Sequence, residues 1–173
     1  MRAFRARPDG TVQAHLEPHE VALLRGLLGE LTGILADGDD PSAGADRSPA
    51  SPGPVTARLL PDAYPDDAEA SAEFRRFTAT DLAEAKAANA SVVEGTLAEA
   101  DARGPGRRGL LVVLDPADAQ AWLRTLNDLR LAISVPLRID ESDAWRARAP
   151  EESAGLYDWL TFAQGSLIEA VDR

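Results

Sequence analysis

Apolar side chains recur along this chain with two different periods, and the switches between them outline a fold. Phe4 and Ala6 alternate with Arg5 and Arg7, and Val12, Ala14 and Leu16 alternate with Gln13 and His15, around Pro8-Asp9-Gly10. A period of two across a glycine-containing turn predicts a β-hairpin over 2–7 and 11–16. Glu17-Pro18 then changes the period. Proline suits the first helical position, where its missing N–H costs nothing. Val21, Leu24, Leu28, Leu31 and Leu35 follow at spacings of three and four, which predicts a core-facing helix over 18–35. A second row, Ala22, Gly26, Gly29 and Gly33, carries almost no side chain. Each interior glycine costs about 1 kcal/mol against alanine. The row therefore predicts either a backbone packed closely against it or a helix that frays after Gly33.

Residues 37–54 contain only Asp, Gly, Pro, Ser, Ala and Arg. Without a large apolar side chain they cannot offset their ordering entropy by burial, so the segment reads as a flexible loop inside one domain spanning 1–173. Residues 55–65 read as extended or irregular. Asp66-Asp67-Ala68-Glu69 has capping-box spacing and opens helical sequence over 66–102, broken near Thr78, with Phe74 and Phe77 on its first part. Leu82, Ala85, Val92, Val93, Leu97 and Ala100 form the expected inner side of the second part, and Gly104-Pro105-Gly106 ends it. The five apolar residues at 110–114 predict a buried strand that extends the hairpin into a three-stranded sheet. Asp115-Pro116 starts a helix over 116–134, with Trp122, Leu126, Leu129 and Ile133 as its stripe and Val135-Pro136 as its stop. Beyond a polar stretch around Trp145, Pro150 opens a last helix over 151–171 with Leu156, Leu160, Ala163, Leu167 and Val171 facing inward. The fold class is thus α+β and mainly α: an N-terminal hairpin packed with about five helices. The expected core anchors are Leu24, Leu28, Phe77, Trp122, Leu126, Leu129, Trp159 and Leu167.

Composition removes several chemistries. The chain of 173 residues has no cysteine, so disulfides, thiolate ligands and thiol redox switching are excluded. Its net charge is −11, from 29 acidic and 18 basic side chains. A phosphate backbone is held by cations, so direct nucleic-acid binding would need a segregated basic face. Arginines do gather in small groups, Arg2, Arg5 and Arg7; Arg75 and Arg76; Arg107 and Arg108, but groups of this size are usually solvated surface. No secretory leader pattern and no 18-residue apolar stretch occurs, which makes the cytoplasm the expected compartment and leaves no membrane span.

Gly104, Gly106 and Gly109 match the spacing of a dinucleotide-binding loop, but that loop needs a strand before it and a helix after it. Here the order is reversed. His15 and His19 are the only histidines, and Pro18 separates them onto different elements, so they do not form a metal pair. No catalytic, cofactor or metal site is expected. The most unusual polar group is Asn127, Asp128 and Arg130 in the middle of an otherwise apolar helix. It reads either as an internal lock, with Arg130 paired to Asp128 or another acid and Asn127 bonded to a loop backbone, or as a surface that recognises a partner.

Trp122-Leu123-x-x-Leu126-Asn127-Asp128-x-Arg130-Leu131, followed by Tyr157-Asp158-Trp159-Leu160, resembles the actinobacterial domain-of-unknown-function family 2017. The hairpin that leads into a leucine-rich helix, and Phe74-Arg75-Arg76-Phe77-Thr78, fit that resemblance too. It covers essentially the whole chain outside 37–54. The resemblance implies an AosR-like transcriptional regulator that works with a sigma factor through a redox-active cysteine pair. With no cysteine here, the thiol switch does not carry over. Three function classes follow: a regulator acting by protein contact, a regulator binding DNA directly, and a small-ligand binder or enzyme whose site the sequence does not display. Deleting 41–52 is expected to leave the helical circular dichroism and the unfolding midpoint nearly unchanged, because loop-closure entropy varies slowly with length.

Overall fold

The computed structural model describes residues 1–37, 53–61, 63–64, 66–104, 106, 109–139 and 143–173. Strands β1 (Arg5–Ala6) and β2 (Val12–Leu16) form the expected hairpin. It closes through Arg7 N–H donating to Thr11 C=O at 2.8 Å, with Gly10 at φ +82° in the turn. Helix α1 (Pro18–Asp37) follows, then a short α2 (Pro54–Leu59), the long α3 (Ala68–Arg103), β3 (Leu110–Leu114), α4 (Pro116–Ser134) and α5 (Glu151–Val171). A 3-10 turn over Asp143–Ala147 leads into α5. The sheet is antiparallel in the order β1-β2-β3, with Val12 opposite Leu114 and Leu16 opposite Leu110. Every second residue of β2 and β3 is buried: Val12, Ala14 and Leu16 beside Leu110, Val112 and Leu114. On that face α3 and α4 pack against β3, and α5 packs against β1 and β2.

Helix α4 has the sharpest bounds. The Asp115 side chain accepts the Ala117 and Asp118 amides at 2.7 and 2.8 Å, and Pro116 occupies the first turn. Its inward stripe of Trp122, Leu126 and Leu129 is almost wholly buried, and neighbours surround it: α1, α2, α3, α5 and β3. Trp122 meets Phe4 edge-to-face at 5.7 Å and donates its indole N–H to Thr96 Oγ1 at 2.9 Å, which ties the hairpin and α3 to this helix.

Several expectations are corrected. Residues Pro54–Leu59 form a helix where an irregular segment was expected, because Val55 and Leu59, one turn apart, are both buried. α3 runs unbroken past Thr78 and is capped by Asp67, which accepts from Glu69 and Ala70. Its buried stripe is Ala90, Val93, Leu97 and Ala100, whereas Leu82, Ala85 and Val92 face out and Phe77 is 70% exposed. Alanine on most faces lets this helix turn more than one side inward at little cost. The side chains of Phe74, Arg75 and Arg76 lie outside the described residues, as does 38–52, the bulk of the expected loop. In α1, Ile34 rather than Leu35 completes the buried stripe. Among the described residues nothing lies within 4 Å of a Cβ built on Gly26, Gly29 or Gly33, and the helix continues to Asp37. Neither close packing nor fraying accounts for that glycine row. Trp159 is only partly buried, and Phe162 and Val171 are exposed.

Two glycines then have opposite expected responses. Gly109 has φ +95°, and a Cβ there would lie 2.3 Å from the Leu16 carbonyl oxygen. Gly109→Ala is expected to cost more than about 2 kcal/mol, from strain and clash together. Gly26→Ala, in open space on α1, is expected to stabilise by about 1 kcal/mol. Urea unfolding of both variants checks the signs. Leu97→Ala, at a wholly buried position, is expected to cost about 2–5 kcal/mol by the same measurement.

Candidate functional site

The three polar residues singled out on α4 point three ways, because consecutive helical positions are about 100° apart. Asp128 is 3% exposed and faces α3, where it accepts from Lys86 Nζ at 2.5 Å. Lys86 is the chain's one lysine. Arg130 faces α5. It donates to Gln164 Oε1 and, at 3.2 Å, to Tyr157 Oη, and its guanidinium lies 5.3 Å from the Tyr157 ring centroid. Among the described residues Arg130 has no carboxylate partner, and its buried Nε makes no hydrogen bond. Asn127 is exposed, and its side chain makes no hydrogen bond among the described residues. The expected pairing of Arg130 with an acid, and of Asn127 with a loop backbone, is therefore not what forms. Gln164 can take a guanidinium because its Nε2 is held by the Leu123 carbonyl at 3.3 Å, leaving Oε1 free to accept.

The α4–α5 seam continues as a run of rings and cations. Trp145, 3% exposed, meets Tyr157 edge-to-face at 5.5 Å. Arg146 lies 4.6 Å over the Trp145 ring and forks onto both oxygens of Asp158 at 2.9 Å. That fork holds the Asp158 carboxyl below the usual carboxylate range. Arg124, Asn127, Thr161 and Phe162 are exposed on these same two helices.

A second buried acid escaped the sequence reading. Glu20 is 4% exposed; its carboxylate accepts from the Met1 ammonium, the Glu17 amide at 2.7 Å and Trp159 Nε1 at 2.9 Å. Burial alone would raise its pKa, but these three donors outweigh burial and the pKa is lowered. The signal was available: Glu20 stands three residues after the helix-capping Glu17, where a carboxylate reaches back to the cap's amide.

The remaining candidates do not converge. His15 lies on β2, and His19 is exposed in the first turn of α1 with Nδ1 3.5 Å from Glu17. No group of three potential metal-ligating side chains occurs among the described residues. Gly106 and Gly109 bridge one another in the turn before β3. Arg7 is engaged by Asp9 and Thr11, and Arg107 and Arg108 lie outside the described residues. An apolar groove of about 270 Å³ between α1, α2 and α4, lined by Leu31, Ile34, Val55, Leu129 and Ile133, has Glu30 at its side. Among the described residues no helix is long and apolar enough to cross a membrane.

A mainly helical chain with a small antiparallel sheet and an Asn-Asp-x-Arg helix at its centre defines the class, and a family profile agrees with it. The profile of the domain of unknown function DUF2017 matches residues 1–171, and the chain belongs to that family. A putative oxidative stress regulator AosR of Mycobacterium leprae is 33% identical over 182 residues, covering 89% of this chain and 79% of the relative. The oxidative stress regulators AosR of Mycobacterium bovis and of Mycobacterium tuberculosis H37Rv are each 31% identical over 188 residues, covering 90% and 80%. No solved structure gives a significant match.

Two responses follow from the buried acids. Lys86→Met strands the Asp128 carboxylate and is expected to cost about 3–5 kcal/mol, most of it recovered in Lys86→Met/Asp128→Leu, by thermal unfolding. For Glu20 the sign is that of a depressed carboxylate. Its stabilisation is present above the unfolded-state pKa and is lost as pH falls through the folded-state value. Glu20→Gln is therefore expected to lower stability at pH 7 and to flatten the acid limb of the stability–pH curve.

Proposed function

We propose that this chain is a non-enzymatic, cytoplasmic regulator that acts by protein contact, with the α4–α5 seam around Asn127 and Arg130 as its contact surface. The observation that carries the regulatory reading is the name borne by three mycobacterial relatives, oxidative stress regulator, over about nine-tenths of this chain. Contact rather than catalysis is supported by the seam itself. It combines a guanidinium with neutral partners, an exposed Asn127 and an exposed Phe162, the mixture of arginine, amide and aromatic that marks binding surfaces. The net charge of −11 favours a partner with a basic surface. Transcription machinery such as a sigma factor is the partner class that the family resemblance implies. Regulation here runs without a thiol, since the chain has no cysteine.

The test is affinity capture from the native cell extract after nuclease digestion. A specific protein should stay bound, and Asn127→Ala should weaken it about tenfold, the size of a moderate hot spot. Because Asn127 is exposed, the same change should move stability by no more than about 0.5 kcal/mol. Loss of the partner on nuclease treatment alone would favour direct DNA binding instead.

A further inference from the structure

The sheet ends on a strand with a free edge. In the hairpin, Arg7 pairs with Thr11 and Arg5 with Gln13, so the amides and carbonyls of Thr11, Gln13 and His15 aim at β1. Main-chain groups alternate in direction along a strand. Val12, Ala14 and Leu16 must then aim at β3 and bond Leu114, Val112 and Leu110, their register partners. This leaves the N–H and C=O of Leu111 and Val113 pointing away from β2, and among the described residues they make no hydrogen bond. The same two residues carry partly exposed apolar side chains on the sheet face opposite the helices.

Natural sheets protect such edges with lysine, proline, a bulge or an inward charge. Residues Leu110–Leu114, Leu-Leu-Val-Val-Leu, contain none of these and pair with β2 in unbroken register. We propose that β3 pairs antiparallel with β3 of a second copy of this chain, making one six-stranded sheet across a two-fold axis at Val112. Leu111 of one copy then faces Val113 of the other, and each pair exchanges two main-chain hydrogen bonds. Their side chains pack together on the open face.

The charges that flank β3 suit a second copy. Two chains of −11 repel, so they can meet closely only along an uncharged stretch, and β3 has no charged residue. The charges at its two ends are opposite in sign. Arg107 and Arg108 shortly precede β3 in the sequence, and Asp115 immediately follows it. An antiparallel partner brings the arginine-bearing end of one strand to the acidic end of the other.

Sedimentation equilibrium of the full chain, with hydrogen exchange of the backbone amides, tests this. A dimer is expected, with the Leu111 and Val113 amides protected more strongly as concentration rises. Val113→Pro removes an outward N–H that the monomer does not use, and Leu111→Lys adds an edge cation while keeping every backbone group. Both should weaken the dimer at least tenfold with circular dichroism unchanged. If Val113→Pro does not fold, Leu111→Lys decides alone. A monomer at all concentrations, a dimer that resists the variants, or rapid exchange at Leu111 and Val113 within a dimer would each overturn the proposal. Partner capture through Asn127 is read separately, so either result can fail without the other.

Discussion

Helix α4 is surrounded by α1, α2, α3, α5 and β3 and yet carries two charged side chains inward, and the arrangement around it answers that constraint. An unpaired buried charge costs several kcal/mol, so each must find its match wherever the neighbouring helices can supply one. Lys86 and Asp128 meet at a point where α3 has little else to fix its rotation, because its alanines fit on any face. Among the described residues the buried apolar positions of α3 run from Ala90 to Ala100, and Phe77 and Leu82 are exposed. The ion pair therefore helps to set the rotation of the first half of α3. On the opposite flank Gln164 and Tyr157 hold Arg130 through neutral oxygens and a ring face, which fixes α5 without adding an acid.

Elements with strong local punctuation were legible in the sequence. The bounds of α4 were read correctly because Asp115-Pro116 and Val135-Pro136 fix its ends whatever the tertiary contacts. The hairpin and β3 were legible for a similar reason, a period of two bounded by turn residues. Six-residue α2 is too short for periodicity, and only its Val55–Leu59 pair carried a signal. The side of α3 that turns inward was illegible because alanine gives no directional preference. Of the polar cluster, its unusual character was legible but its partners were not. Lys86, Tyr157 and Gln164 are 27 to 42 residues from the α4 groups they meet, and no local rule spans that separation.

Glu20 performs for the N-terminal part what Asp128 performs for the centre. Met1, the start of α1 and Trp159 of α5 converge on one carboxylate, while Phe4 N–H reaches Ser166 Oγ at 3.2 Å. These bonds attach the two-residue β1, which is too short to be stable by pairing alone, to the last helix of the chain. The sheet is thereby anchored at its β1 side by polar contacts and at its middle by the apolar face of β2 and β3. Its β3 side is left, among the described residues, with the main-chain donors and acceptors of Leu111 and Val113 unused.

The two surfaces proposed for contact differ in the force that governs them. A basic partner is drawn to this chain by the excess of acidic side chains, an attraction that salt screens over a Debye length of about 8 Å at physiological ionic strength. Two copies of the chain meet under the opposite sign: their like charges repel, and salt screens that repulsion while leaving main-chain hydrogen bonds and apolar contact at Leu111 and Val113 intact. Raising ionic strength thus weakens the first association, whereas in the second it relieves the net repulsion between copies. The distinction follows from where charge is placed, with acids spread over the helices and withheld from Leu110–Leu114.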